Sequence, residues 1–208
     1  MGVIGIIDYG AGNLHSVKGA LDLLGIMNFV SRDKADLEKA DGLILPGVGA
    51  FPSAMALLGE AGLTGFIKEQ SEKKPLLGIC LGMQMLLSVG HEFCDCEGLG
   101  LIPGEVKMLS AYEKDSRFKI PHMGWNILDY DRGDPLFAGI DEPIYTYFVH
   151  SFKAVPDDPD DISASTRYGE QITAAVHRKD GYVWGTQFHP EKSGEKGLMM
   201  LKNFASLS

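Results

Sequence analysis

Three things are scarce in this 208-residue chain: long apolar runs, cysteines that could all pair, and excess positive charge. The longest apolar stretches, such as Leu43–Pro46 and Leu76–Leu81, fall far short of the roughly 18 residues that a membrane span needs. No membrane crossing is expected. The start, Met1–Asp8, lacks the basic flank and small-residue cleavage site of a secretory leader and meets an acid at Asp8, so it reads as a first buried strand. Nineteen basic against twenty-eight acidic residues leave a net charge of −9, which opposes attraction to nucleic acid or anionic lipid. Neither is an expected partner. The three cysteines, Cys80, Cys94 and Cys96, cannot all pair, which points to free thiols in a reducing, cytoplasmic compartment. Cys94-Asp95-Cys96 has no second Cys/His pair nearby to complete four ligands, so no metal is expected there.

What is present is a hydrophobic fraction of 45%, enough to bury a sizeable core in one domain spanning residues 1–208. Val3–Asp8, Gly42–Leu45 and Pro75–Ile79 are short continuous apolar runs, the pattern of parallel strands buried on both faces. Between them, Leu14, Val17, Leu21 and Leu24, then Met55, Leu57 and Leu58, then Leu63, Phe66 and Ile67 keep helical spacing. The alternation predicts an α/β fold: an open, mostly parallel twisted sheet with helices on both faces. Ligands of such sheets bind at the carboxyl ends of the strands, where Asp8, the Pro46–Gly49 turn and Cys80 fall. The second half adds antiparallel strands at Glu105–Leu109, Tyr145–Lys153, Ile172–Arg178 and Tyr182–Phe188, the last two joined by a Lys179-Asp180-Gly181 hairpin turn. Pro156–Asp161 reads as a solvated loop, and Glu195–Ala205 as a closing helix.

Gly78-Ile79-Cys80-Leu81-Gly82 sets a nucleophile-type residue between two glycines, after an apolar strand and before a helical stretch at Met83–Ser88. That is the pattern of a nucleophile elbow with Cys in place of Ser. Side chains two positions either side of the bend would collide, and a helix N-terminus under the sulfur favours thiolate. Taken alone, the pattern also fits a buried structural cysteine at a glycine-rich turn. Phe188-His189-Pro190-Glu191 offers a base with a carboxylate two residues on. Pro190 keeps His189 extended, and in extended chain Glu191 points the same way as His189. This supplies the order Cys, His, Glu that triad logic requires. A His-x-Glu pair by itself carries little weight; beside a cysteine elbow it carries much more. Of the other histidines, His177 reads as solvated, His91 as a terminator of the elbow helix, and His150 as either a pocket wall or a satisfied core residue. Leu45-Pro46-Gly47-Val48-Gly49 is either an ordinary Pro-Gly turn or a strand end whose N–H groups approach a ligand. Gly10-Ala11-Gly12 fails as a dinucleotide motif, because His15 occupies the third glycine position.

Together these pieces resemble the class I, or triad, glutamine amidotransferases over essentially the whole chain. Their signature is the Gly-x-Cys-x-Gly elbow, a downstream His-Pro-Glu and a Pro-Gly-x-Gly oxyanion strand. Within the class the chain is similar to the glutaminase subunits of imidazole glycerol phosphate synthases. The residues that carry this are Asp8–Leu14, Pro46–Phe51, Gly78–Gln84 with Met83 where most of the class has His, Gly98–Gly104 and Pro121-His122-Met123-Gly124-Trp125-Asn126. The resemblance implies glutamine hydrolysis by Cys80, His189 and Glu191, with an oxyanion hole from Leu81 and the Gly47-Val48-Gly49 turn. It implies that Gln84 and Glu92 hold the amino-acid end of glutamine under a loop of His150, Ser151 and Phe152. It also implies a (βα)8-barrel synthase/cyclase partner against Asn13 and Pro121–Asn126, and no cofactor. Where relatives often carry two acids, His91-Glu92 stands here. The rivals are glutaminase components of anthranilate or pyridoxal phosphate synthesis, a flavodoxin-like cysteine peptidase or deglycase, and a non-catalytic interaction subunit.

Cys94 and Cys96 have no glycine-flanked turn of their own. Replacing both with serine is expected to leave most of the activity in place, measured as turnover of the purified double variant.

Overall fold

The computed structural model describes residues 2–110, 117–179 and 181–208; Met1 and Asp180, named above, lie outside them. Strands β1 (Ile4–Ile7), β2 (Asn28–Ser31), β3 (Gly42–Gly47) and β4 (Leu76–Cys80) alternate with helices α1 (Leu14–Leu23), α2 (Lys34–Leu37), α3 (Phe51–Glu60) and α4 (Thr64–Gln70). After α5 (Leu81–Met85) come the short strands β5 (Leu87–Gly90), β6 (Cys96–Glu97), β7 (Ile102–Met108), β8 (His122–Ile127) and β9 (Asp129–Tyr130). Then follow β10 (Tyr145–His150), β11 (Phe152–Pro156), β12 (Ile162–Tyr168), β13 (Glu170–Arg178), β14 (Val183–Thr186) and α6 (Gly194–Ser206).

The main sheet runs β2-β1-β3-β4-β14-β13-β12-β9. Its pairings are parallel from β2 to β14 and antiparallel from β14 to β9. The expected mostly parallel sheet with antiparallel additions is therefore what forms. Both faces are covered because the central strands are apolar at every position. Ile4, Ile6, Ile44, Leu77 and Ile79 join one core with Val17, Leu21, Leu201 and Phe204. Ile7, Leu43, Leu45 and Leu76 join the other with Phe51, Leu58, Phe66 and Ile67. Successive strand residues point to opposite faces, so each strand feeds both cores.

Several expectations shift. Tyr145–Lys153 does not form one strand: it breaks at Ser151 into β10, which pairs β8, and β11, which pairs β7 in a separate four-stranded sheet. The expected helix at Met83–Ser88 is Leu81–Met85, and Ser88 lies in β5. The cause is non-local: the Leu86 carbonyl accepts N–H groups of Leu101 and Ile102, and that of Ser88 accepts from Gly98. The Pro156–Asp161 loop contains a short 3-10 turn, Pro159–Asp161. Strands β2, β8 and β12 lacked a signal, since β2 is a half-exposed edge and β12 reads Ile-Ser-Ala-Ser-Thr-Arg-Tyr.

Glu170, at the start of β13, stitches the sheets together. Its carboxylate accepts from the Ser110 N–H at 2.6 Å and hydroxyl at 3.1 Å and pairs with Lys153 of β11. Burial raises its pKa, but Lys153 and Ser110 outweigh that and hold it down at about 2, against an ordinary 4.5. The folded value is depressed, so the stabilisation is fully present above pH 4.5 and is lost as pH falls through about 2. Glu170→Gln is expected to cost about 2 kcal/mol near neutrality. Thermal melts from pH 7 to pH 2 should show the gap between variant and parent closing on the acid side.

Candidate active site

Cys80 ends β4 and begins α5 with φ 57° and ψ −111°, a backbone state that L residues adopt only under constraint. Glycine contacts impose it. A Cβ on Gly78 would lie 2.7 Å from the Gly82 main chain, one on Gly82 1.9 Å from the Leu45 carbonyl oxygen, and one on Gly47 2.4 Å from the Gly82 nitrogen. The bend is thus pressed against the end of β3, where Gly47 stands in register with Cys80. Sulfur is left at the carboxyl edge of the parallel strands, nearly buried.

His189 follows β14 and is extended, as Pro190 requires. Its N–H donates to the Tyr147 carbonyl at 3.0 Å, and the Ser193 hydroxyl donates to its carbonyl at 2.6 Å while accepting the Tyr147 N–H at 3.0 Å. The ring is therefore aimed from β10. Glu191 lies in a 3-10 turn, Pro190–Lys192, and not in extended chain; the turn still brings Oε1 to 2.8 Å from His189 Nδ1. Its side chain is fully buried, and among the described residues Oε2 has no hydrogen-bond partner. Burial pulls the His189 pKa down, yet hydrogen bonds and charge at Cys80 and Glu191 outweigh it and hold the ring up at about 9. At neutral pH the site can hold an imidazolium beside a sulfur, stabilised by a carboxylate behind it.

A cavity of about 420 Å³ opens over the sulfur, walled by Val48, Gly49, Leu81, Gln84 and Glu92 on one side and Pro121, His150, Ser151, Phe152 and His189 on the other. Its size suits a small metabolite. A larger hollow of about 530 Å³ between Ile127–Asp129 and Ser165–Arg167 is lined by neither cysteine nor histidine.

The sequence model of the family described as Glutamine amidotransferase class-I matches residues 5–207. The chain belongs to that family. Among curated relatives, the imidazole glycerol phosphate synthase subunit HisH of Geobacillus kaustophilus is 49% identical, over 99% of this chain and 97% of its own length. HisH 1 of Campylobacter jejuni is 49% identical over 99% and 100%. Among solved structures, a glutamine amidotransferase superposes with TM-score 0.74 at 22% identity, covering 99% of this chain and 98% of the other. PurLQS from Thermotoga maritima gives 0.72 at 21%, over 98% and 97%. At that identity the structures speak for the fold alone.

For a class-I amidotransferase, the expected site residues are mostly gathered at the cavity. The Gln84 side-chain amide donates to the Phe152 carbonyl at 3.0 Å and to Gln187 Oε1 at 2.9 Å. The Glu92 carboxylate accepts the Phe51 N–H at 2.7 Å. Gly49, with φ 96°, follows the half-exposed Val48. His150 is both wall and core: Nδ1–H donates to the Phe152 carbonyl at 2.8 Å, and Nε2 accepts from His122 Nδ1 at 2.9 Å. Burial lowers both histidines to about 4, so both are neutral.

The segment expected against a partner needs correction, because it is a strand and its side chains alternate. Met123 and Trp125 are 61% and 57% exposed, and Ile127 and Tyr145 beside them are also exposed. His122 is 2% exposed, stacked between Phe148 and Tyr168, and Asn126 turns inward to the Arg167 carbonyl. Pro121 is exposed, whereas Gly124 and Asn13 are half-buried; Asn13 precedes α1 and lies away from the cavity wall. Two histidine readings also change. His177 is not solvated: it stacks on Trp184 and faces Asp134 at 3.1 Å. His91 terminates no helix but sits between Asp95 at 2.7 Å and Glu105 at 2.9 Å. Gln187, whose amide reaches the Cys80 sulfur at 3.8 Å, carries no signal in the sequence, because a lone glutamine one residue past an apolar strand forms no motif of its own.

The His189–Glu191 contact has a direct test. Replacing Glu191 with glutamine removes a carboxylate charge at 2.8 Å, so the His189 titration midpoint, followed by ring NMR, should fall by about one to two units. An unmoved midpoint would mean that this carboxylate does not hold the ring.

Proposed function

We propose that this chain hydrolyses glutamine to glutamate and ammonia through a thioester on Cys80 and passes the ammonia to a synthase partner. The observation that carries this is the elbow sulfur of Cys80 beside the His189–Glu191 pair at the floor of a small cavity. The whole chain, 1–208, acts as one amidotransferase domain. The names of the curated relatives favour a partner that makes imidazole glycerol phosphate. Among the described residues no helix is long and apolar enough to cross a membrane; the cytoplasm is the site of action proposed with this function.

In the mechanism, the Cys80 thiolate attacks the amide carbon of glutamine, and the carbonyl electron pair moves onto oxygen. The Leu81 N–H and an N–H of the Gly47-Val48-Gly49 turn stabilise that oxyanion. His189 gives its proton to the leaving nitrogen, the C–N bond breaks, and ammonia departs. Water then adds to the thioester carbon and gives a proton to His189. The C–S bond breaks, and glutamate leaves with the thiolate restored. Nucleophile, acid, base and oxyanion donors all come from the chain, so no cofactor is required. Gln84 and Glu92 hold the amino-acid end, with His150, Ser151 and Phe152 closing over it. The partner, a (βα)8-barrel synthase/cyclase, docks on the face of Pro121, Met123 and Trp125 and on Asn13, and His122, Gly124 and Asn126 support the β8 face from within.

In the complex, Cys80→Ala is expected to abolish synthesis from glutamine while synthesis from added ammonium salts continues. A variant that still consumed glutamine near the parental rate would remove Cys80 from the role of nucleophile.

A glutaminase that runs uncoupled from its synthase wastes ammonia. If the turn at Val48 presents its N–H only in the assembled state, the isolated subunit should be about a hundred- to a thousandfold slower. Steady-state assays with the subunit alone, with partner, and with partner plus the phosphoribosyl ligand check this; equal rates in all three would sink the coupling. Trp125→Ala should weaken assembly and leave the His189 titration unchanged.

A further inference from the structure

The sulfur of Cys80 is nearly buried, and a buried anion is costly unless donors meet it. The five-residue helix α5 is little more than a single turn, too short for the dipole support that a longer helix would give. His189 supplies one donor. Among the described residues, hydrogen-bonding contacts to the sulfur also come from Val149 and Gln187. The thiol can donate to the Val149 carbonyl at 4.0 Å, a contact that favours the protonated form. The Gln187 amide reaches it at 3.8 Å with Nε2, a contact that favours the thiolate.

Gln187 is completely buried, and its surroundings fix which end faces the sulfur. Its main-chain N–H is tied to the Ala174 carbonyl at 2.8 Å. Its Oε1 accepts from Gln84 Nε2 at 2.9 Å, and Gln84 Nε2 spends its other hydrogen on the Phe152 carbonyl at 3.0 Å. The carbonyl end of Gln187 is thereby occupied, and the NH₂ end is turned to Cys80.

We propose that Gln187 is a catalytic residue: its side-chain amide donates to the Cys80 sulfur and stabilises the thiolate, while its carbonyl end holds Gln84 at the amino-acid end of the cavity. The proposal rests on Cys80 being the nucleophile. The donor acts twice in a cycle. Before attack it favours the ionised sulfur; when the C–S bond of the thioester breaks and the electron pair returns to sulfur, it meets the departing anion. The titratable groups around the sulfur are His189 with Glu191 behind it, Tyr9, His150 and Glu92. Tyr9 stays protonated, because burial and the nearby sulfur charge both raise it, and His150 stays neutral because burial lowers it.

Two variants separate the two ends of the amide. Gln187→Glu keeps an acceptor for Gln84 but, ionised, offers the sulfur no donor, whereas Gln187→Met removes both. In full-length protein carrying Cys94→Ser and Cys96→Ser, the rate of Cys80 alkylation by iodoacetamide is measured against pH, with melting temperature and near-ultraviolet circular dichroism as checks on folding. Both variants should move the alkylation midpoint up by about one pH unit or more. KM for glutamine should stay near the parental value in Gln187→Glu and rise in Gln187→Met. In the protein with Gln187 intact, the side-chain amide NMR signal of Gln187 should move with the thiolate absorbance near 240 nm. That measurement needs no substitution at Gln187, so it decides the matter even where a variant does not fold. Superimposed alkylation profiles in folded variants, or an amide signal indifferent to thiolate formation, would overturn the role of Gln187. Those readings use no glutamine. A failure of the glutaminase reading would show differently, as full turnover after complete alkylation of Cys80, and would take both readings down.

Discussion

Everything at the site depends on the close approach of three glycines. Gly47, Gly78 and Gly82 let the β4–α5 bend touch the end of β3, and the Leu45 carbonyl sits where any side chain at position 82 would have to be. Because the bend cannot relax away from β3, Cys80 is held at φ 57°, and its sulfur is held at the strand edge. The strain is local, but its support is the whole parallel sheet: β4 is flanked by β3 and β14, and apolar residues on both faces keep those strands in register. A precise nucleophile position is thus obtained from backbone packing, without relying on any flexible side chain.

The second constraint is charge in a buried place. His189 and Glu191 come from the turn after β14, the strand that lies beside β4, so the base is delivered to the nucleophile by sheet order. Burial would strip the imidazolium of its proton, yet the partners on either side of it reverse the sign of that effect. Gln84 and Gln187 extend the same network away from the sulfur. The amino-acid end of the cavity and the reacting atom therefore share hydrogen bonds and not merely a wall.

Strand β8 has two faces that do different things. His122 faces inward, hydrogen-bonded to His150 and stacked on aromatic rings, while Met123, Trp125 and Ile127 face outward on the opposite side. His150 in turn holds the Phe152 carbonyl that Gln84 also uses. An exposed apolar strip of this kind marks a surface that gains by being covered. The strand that carries it pairs with β10, which runs into the His150–Phe152 segment that walls the cavity.

The parallel half of the fold was legible in the chain because continuous apolar runs and helical spacing are local patterns, and Gly-x-Cys-x-Gly and His-Pro-Glu are local too. They determined the fold class, the elbow and the three residues of the candidate triad. What local pattern could not reveal was decided by partners distant in sequence. Residues 98–102 captured the chain after Leu86 and shortened the elbow helix; Ser151 broke an apparently continuous strand because β8 and β7 claimed its two halves. His177 found Asp134 and Trp184 across the sheet, and Glu191 reached His189 through a turn and not along a strand. Gln187 had no signature at all. A hydrogen bond between residues a hundred positions apart depends on sheet order and burial, and those exist only once the tertiary structure has closed around them.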